Sequence, residues 1–459
     1  MRAVAAGHPA TADAGMEILD EGGSAADAAV AACLASCVAE TVMTGLLGGG
    51  HAIHYDAASR RAANLDCFIA VPGLGREPRP VTLVELEVPF GTELVHYAVG
   101  IGSCGVPGVA AGLDALWSEH GRLPWPRLVE PALRLARGGV PMPAAHASCL
   151  RMLQVVMTMN EGARIYAPGG SLLEEGDLLR QPGIVHALEA LAAEGARSAY
   201  EGTIGRALVD LMEERGGLVT EDDLRAYEAT WSEPVALEFR GLTIRTRAGL
   251  FDFPSALAAL PELKELAEPD RALAVVTALG GEIPRQNGTT NLAVLDDDGN
   301  ACVLTTSLGL GSGDFVPGLD LQLNSMLGEV DLLIGPLEPG ERMASMMVPS
   351  LALDANGVAL AAGAAGGTRL RSALLQVVAG VLDEGLDLQA AVDRPRLHPV
   401  GSIVHLEAGF GPEAIRALES AGFEVREWPG RHHYFGGVSV VTRNGSAGDP
   451  RRSGAARAS

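Results

Sequence analysis

Nothing in the 459-residue sequence reaches the roughly 18 consecutive apolar residues that a membrane-spanning helix needs. The nearest stretch, Ala28 to Ala39, is made mainly of small side chains and stops at Glu40. No signal peptide is visible in the sequence: one Arg precedes Ala3-Val4-Ala5-Ala6, and His8-Pro9 then interrupts. The expected location is therefore the cytoplasm. Positive charge is scarce, with 34 Lys and Arg against 57 Asp and Glu and a net charge of −23. Such a surface repels a phosphate backbone, so nucleic acid and anionic membrane are excluded as partners. The one dense basic group, Arg451, Arg452 and Arg457, is expected to be a solvated C-terminal tail. Cysteines are few, and Cys33, Cys37, Cys67, Cys104, Cys149 and Cys302 include no CxxC, which excludes a disulfide scaffold and a zinc ribbon. They are expected to be buried free thiols in a reducing compartment.

Other absences narrow the chemistry. There is no HExxH and no GxSxG. His51 and His54 lie three apart on an expected strand and point to opposite faces, so they cannot chelate together. His432-His433 has no carboxylate or Cys pair at ligand spacing. No metal or cofactor is expected. Gly100-Ile-Gly-Ser-Cys-Gly105 fits GxGxxG after a strand-like run. Pro107 and Gly108 intervene before the helix, however, and no acidic residue ends a second strand, so it is better taken as a tight strand-to-helix turn.

What is present is a globular chain, 47% hydrophobic, whose 58 glycines and 27 prolines stay below the level of disorder. Helical spacing runs from Ala12 to Asp20, and Ser24 with Asp27 forms a capping box for a helix through Ala39. Gly48-Gly49-Gly50 leads into an alternating strand, His51 to Tyr55, and a second strand ends near Leu65-Asp66. Helices are expected over 113–117, 128–137, 184–193, 204–214, 370–384 and 412–421, with a short one capped by Thr220. Strands are expected over 235–240, 423–426 and 437–441, and hairpins from Thr289 onward. Strands and helices in blocks indicate an α+β architecture.

The chemistry concentrates in Asn287-Gly288-Thr289-Thr290-Asn291 and the run to Ser307. Asp298-Gly299 is a hairpin turn signal between two apolar stretches. A short loop there places Thr289 opposite residue 306, 307 or 308, bringing the hydroxyls of Thr305, Thr306 and Ser307 near it. Strands favour hydroxyl residues anyway, so this pairing alone does not identify a site.

The sequence resembles the γ-glutamyltranspeptidase family of N-terminal-nucleophile hydrolases over essentially its whole length. The resemblance rests on Ser24-Ala-Ala-Asp27-Ala-Ala-Val30, Gly48-Gly-Gly50, Gly288-Thr289-Thr290, Asp296 and Asp298-Gly299-Asn300. It continues in Leu323-Asn324, Ser345, Pro349, Gly363-Ala-Ala-Gly366-Gly367-Thr-Arg369 and Asp449-Pro450-Arg451-Arg452. It implies a four-layer α-β-β-α sandwich and self-cleavage between Gly288 and Thr289. Residues 1–288 would form a large subunit and 289–459 a small one, together one catalytic heterodimer, with further oligomerisation left open. It also implies that the freed α-amino group activates the Thr289 hydroxyl. Thr305 and Ser307 would orient that hydroxyl, Thr290 would support the amine, and the N–H groups of Gly366 and Gly367 would face the oxyanion.

The donor pocket departs from the family pattern. The arginine that clamps the glutamyl α-carboxylate falls on Phe68, and of two serines only Ser345 remains, beside Met346. The asparagine, glutamine and aspartate positions are Gly309, Met326 and Glu329. Phe cannot replace a bidentate Arg–carboxylate contact. The expected function is a self-processing threonine amidohydrolase or acyltransferase with a small-molecule amide substrate. It favours hydrolysis, and a more apolar donor or one with a single carboxylate. The alternative is an unprocessed or inactive homologue serving as a scaffold or small-molecule binding protein.

Overall fold

The computed structural model describes residues 1–90, 93–250, 252–280 and 289–459. Its frame is two antiparallel sheets. One has seven strands, in the order Ala455–Ala458, Ala3–Ala6, Thr290–Leu295, Ala301–Ser307, Gly49–Asp56, Arg61–Cys67 and Thr230–Ser232. The other has six, in the order Gly445–Gly448, Gly437–Thr442, Gly357–Ala365, Ser350–Asp354, Leu242–Thr246 and Val235–Phe239.

The two-residue alternation of a strand sorts its side chains between two faces. In the seven-stranded sheet Ala3, Ala5, Ile53, Ala293, Leu295 and Val303 share a buried cluster with Leu351, Val358, Ala361 and Val441 of the other sheet. Their chain neighbours Val4, Ala6, Ala52, Leu292, Val294 and Leu304 join a second cluster, built on the helices Ala25–Ala39, Val109–His120 and Trp125–Gly138. The six-stranded sheet behaves likewise: Ala352, Leu360, Ala362, Ala364, Val438 and Val440 pack with the helices Phe253–Ala259, Glu268–Leu279 and Arg369–Leu382.

The helix Ala25–Ala39 is buried along its whole length, which its run of Ala, Val and Cys permits. Its Ser24–Asp27 capping box forms as the sequence predicts. Asp27 Oδ2 also accepts from the N–H groups of Arg122 and Leu123, at 2.8 and 3.2 Å. The helices expected in the middle of the chain are found at Val109–His120, Trp125–Gly138, Pro182–Glu194 and Thr203–Arg215. All six cysteines are buried and free.

One expectation fails at the C-terminus. Residues 455–458 are an edge strand paired with Ala3–Ala6, and Arg451 and Arg452 are buried. Arg451 pairs with Glu407 and Asp449, and Arg396 reaches the same Asp449 at 2.6 Å. Of the three only Arg457, which meets Asp13 at 2.6 Å, reaches solvent, and it is half-buried. Charge density without hydropathy reads as a tail; two buried carboxylates make Arg451 part of the interior instead. The GxGxxG turn proves structural, since the Gly105 N–H donates to Asn324 Oδ1 at 3.0 Å and a Cβ at Gly102 would strike Val81.

Candidate active site

The hairpin of Thr290–Leu295 and Ala301–Ser307 fixes the geometry. Its register pairs Thr290 with Thr306 and Asn291 with Thr305, so its continuation sets Thr289 opposite Ser307. The turn closes when the Asp296 N–H donates to Asn300 O at 3.0 Å, with Gly299 at φ +86° as a tight hairpin turn requires. Asp296 then ties the hairpin to the helix layer. Its carboxylate accepts from the Ala25 N–H at 3.0 Å and from Asn300, at the N-terminal end of a helix, where negative charge is favoured.

Alternation decides which hydroxyls meet. Ala293 and Val303 lie on the face between the sheets, so Asn291, Thr289, Thr305 and Ser307 lie there too. Asn291 Nδ2 donates to Thr305 Oγ1 at 2.8 Å, and Ser439 Oγ of the opposite sheet donates to Asn291 O at 3.0 Å. Ser307 Oγ accepts from the Gly309 N–H at 2.9 Å. Thr290 and Thr306 face the helices. Thr306 Oγ1 lies 2.8 Å from Thr44 Oγ1, and Thr290 donates to Glu40.

Thr289 is 3% exposed and lines a small cavity of about 10 Å³ with Glu40, Met43, His146, Ala365, Ser439 and Arg452. Ala365, which lines the cavity with Thr289, ends the strand that runs into Gly366 and Gly367, whose φ values of +129° and +59° suit glycine. Glu40, 1% exposed, also accepts from Thr11 Oγ1 at 2.7 Å. Burial pushes its carboxyl up to about 7, against the Thr290 and Thr11 hydroxyls and the Arg452 charge, which favour ionisation. Burial holds the His146 imidazole down at about 3, so it is neutral.

The donor-pocket positions converge elsewhere on the same edge. Phe68 follows the strand Arg61–Cys67, stacks on His51 with ring centroids 5.5 Å apart, and lies against Gly49, the partner of Ser307. Three strand spacings of about 4.8 Å thus separate it from Thr289. Phe68, Met326 and Met346 belong to one buried apolar cluster, together with Ile69, Met343 and Met347. The Glu329 carboxyl stands over Gly309: a Cβ there would collide with Oε1, and φ at this residue is +71°. Ser345 Oγ accepts from the Met347 N–H at 3.3 Å. None of Phe68, Met326, Glu329, Ser345 and Met346 lines the Thr289 cavity. Gly288, the expected residue before the scission, lies outside the described residues.

Sequence reasoning missed Glu40, Met43, His146 and Arg452. Asn291 was within reach, because it shares the parity of Thr289 on the same strand. The others come to the cavity from distant segments. Among the described residues no group of His, Cys, Asp or Glu is arranged to hold a metal ion, and no helix is long and apolar enough to cross a membrane.

The family model described as Gamma-glutamyltranspeptidase matches residues 11–268 and 256–459. An acylase ACY 1 proenzyme of a Pseudomonas species (strain SE83) is 28% identical, over 96% of this chain and 89% of its own. A glutathione hydrolase proenzyme of Bacillus subtilis (strain 168) is 26% identical, over 99% and 90%. The cephalosporin acylase of Bacillus halodurans shares the fold, with a TM-score of 0.86 at 23% identity, covering 100% of this chain and 96% of that one. The chain belongs to the gamma-glutamyltranspeptidase family of enzymes.

Proposed function

We propose that the protein is a self-processing amidohydrolase whose nucleophile is Thr289. The supporting observation is that Thr289, Thr305 and Ser307 share one face of two paired strands, with Thr289 in the wall of a small cavity that also reaches Ala365, the residue before Gly366-Gly367. Scission before Thr289 frees an α-amine with an ordinary pKa of roughly 7.7–8.0, which a modest depression leaves largely neutral. It takes the hydroxyl proton as Oγ attacks the acyl carbon, and water later releases the acyl group. Thr305 and Ser307 orient the hydroxyl, and the N–H groups of Gly366 and Gly367 receive the oxyanion. The proenzyme names of the two curated relatives fit such processing.

The same reading takes the molecule as a four-layer α-β-β-α sandwich, supported by helix clusters on the outer faces of two sheets that pack on each other. Strands from 1–288 and 289–459 interleave in the seven-stranded sheet, which supports a heterodimer that stays together after scission.

Phe68, Met326 and Met346 stand where the family pattern has polar donor-binding groups and pack in one buried apolar cluster, which supports an apolar acyl donor, or one with a single carboxylate; hydrolysis is favoured over transfer because no residue is identified for an acceptor. Steady-state comparison of γ-glutamyl and simple acyl anilides tests this. Higher kcat/KM for the simple acyl compounds is expected, and a clear preference for the γ-glutamyl compound would refute it. A chain that stays whole and cleaves neither compound would favour a scaffold or binding role.

A further inference from the structure

The cavity beside Thr289 contains a cation with no counter-ion. Arg452 is 6% exposed and lines that cavity, and among the described residues no carboxylate pairs with it. Its Nε has no hydrogen-bond partner, and its Nη1 meets only the Met43 thioether, at 2.9 Å. A buried charge without a partner is costly.

The two carboxyl groups in the same wall are engaged elsewhere. Glu40 takes the hydroxyls of Thr11 and Thr290. Asp449 takes Arg396, Arg451 and the N–H groups of Val438 and Arg451. The neighbouring buried arginines are paired where Arg452 is not: Arg451 with Glu407 and Asp449, Arg396 with Asp449.

Arg452 is nevertheless held in place. His146 Nε2 lies 3.2 Å from its carbonyl oxygen, and its stem lies against Gly437, where a Cβ would strike it. Its Nη2 would stand 3.3 Å from a Cβ at Gly366, so the guanidinium borders the glycine turn. A cation fixed beside the nucleophile, with no carboxylate in salt-bridge reach among the described residues, is suited to a negative charge that exists only during the reaction.

We propose that Arg452 supplies the counter-charge for the anion that develops on the acyl carbonyl when Thr289 attacks, an inference that rests on the threonine-nucleophile reading. As the Oγ–C bond forms, the carbonyl π pair moves onto oxygen beside the guanidinium, and the hydroxyl proton passes to the Thr289 α-amine. When the carbonyl reforms, the C–N bond breaks and the leaving amine takes that proton. Arg452 takes no part in these proton transfers. It stabilises the transition state more than the bound substrate, so its loss is felt in kcat.

The test compares Arg452→Met and Arg452→Lys with the unaltered enzyme, using a neutral acyl anilide and one carrying a free carboxylate. Rates are taken per processed molecule counted by mass spectrometry, and melting temperature is recorded for each variant. The Met variant is expected to lose about 100- to 1,000-fold in kcat on both donors, the loss of one oxyanion donor, with KM little changed. The Lys variant, or guanidinium added to the Met variant, should restore part of the rate. If the Met variant stays uncut, the rate of scission is scored instead, and added guanidinium should accelerate it. A rise in KM confined to the carboxylate donor would overturn the proposal in favour of substrate recognition. Unchanged kcat would overturn it too, as would a lowered melting temperature with no rescue by Lys or guanidinium. Failure of the unaltered protein itself to cut and turn over would instead sink the threonine-nucleophile reading.

Discussion

Thr289 to Ala is the sharpest single-residue change, since it removes the hydroxyl and leaves the strand. It should abolish both scission and turnover, giving one full-length band on a denaturing gel. Glu40 gives a different test in that uncut background. Its carboxyl is held by burial at about 7 against 4.5 when unperturbed, so between these values the folded chain keeps a proton that the unfolded chain has released. The group's contribution is therefore full below about pH 4.5 and lost as pH rises through about 7. Glu40→Gln should stabilise the protein at pH 8 relative to pH 5 by about 3 kcal/mol, measured by urea unfolding. An equal effect at both values would contradict it. The sequence makes the hydroxyls of Thr289, Thr305 and Ser307 legible because they are local to one hairpin. Glu40 and Arg452 escape it as site residues because only the folded chain carries them to Thr289; Arg452 falls in the Asp449-Pro450-Arg451-Arg452 motif, yet its local charge reads as part of a tail.

Between residue and fold, the elements that announce themselves are those with strong periodicity and caps. The helices at Trp125–Gly138 and Thr203–Arg215 follow apolar spacing, and the hairpin follows its Asp-Gly turn. The strands Ala3–Ala6 and Gly357–Ala365 escape, since alanine has poor strand propensity and is used here because small side chains let layers approach. At Gly363 a Cβ would strike Asn291, which shows how close that approach is. The hairpin depends on Asp296, whose buried carboxylate joins it to the helix Ala25–Ala39. Ser24→Ala removes half of that helix's capping box and should cost about 1 kcal/mol by denaturant titration. A loss below a few tenths would show that Asp27 alone carries the cap.

For the whole molecule, pH stability is set by buried imidazoles. Burial lowers His8 to about 4 and His54 and His146 to about 3, and it holds His51, His398 and His433 well below 6.5. As pH falls below 6.5 the unfolded chain takes up protons these six refuse, so their stabilising effect is lost on acidification. Glu40, Asp114 and Asp314, all raised by burial, act in the opposite sense, but they are fewer, so the histidines prevail. The melting temperature should fall steadily between pH 6.5 and 4.5, and a rise over that range would contradict the balance. Sheet order was not legible, because its pairings join residues hundreds of positions apart, as with Ala3 and Ala458. That interleaving also makes backbone breakage tolerable, since neither piece can leave without dismantling a sheet.

The central claim is that the chain cuts itself to expose Thr289. Intact-mass and N-terminal analysis of the freshly purified protein examines it directly. Two tightly associated chains are predicted, the smaller beginning at Thr289, with the Thr289→Ala variant uncut. A full-length single chain that still turns over amide substrate, or a break at any other bond, would contradict it.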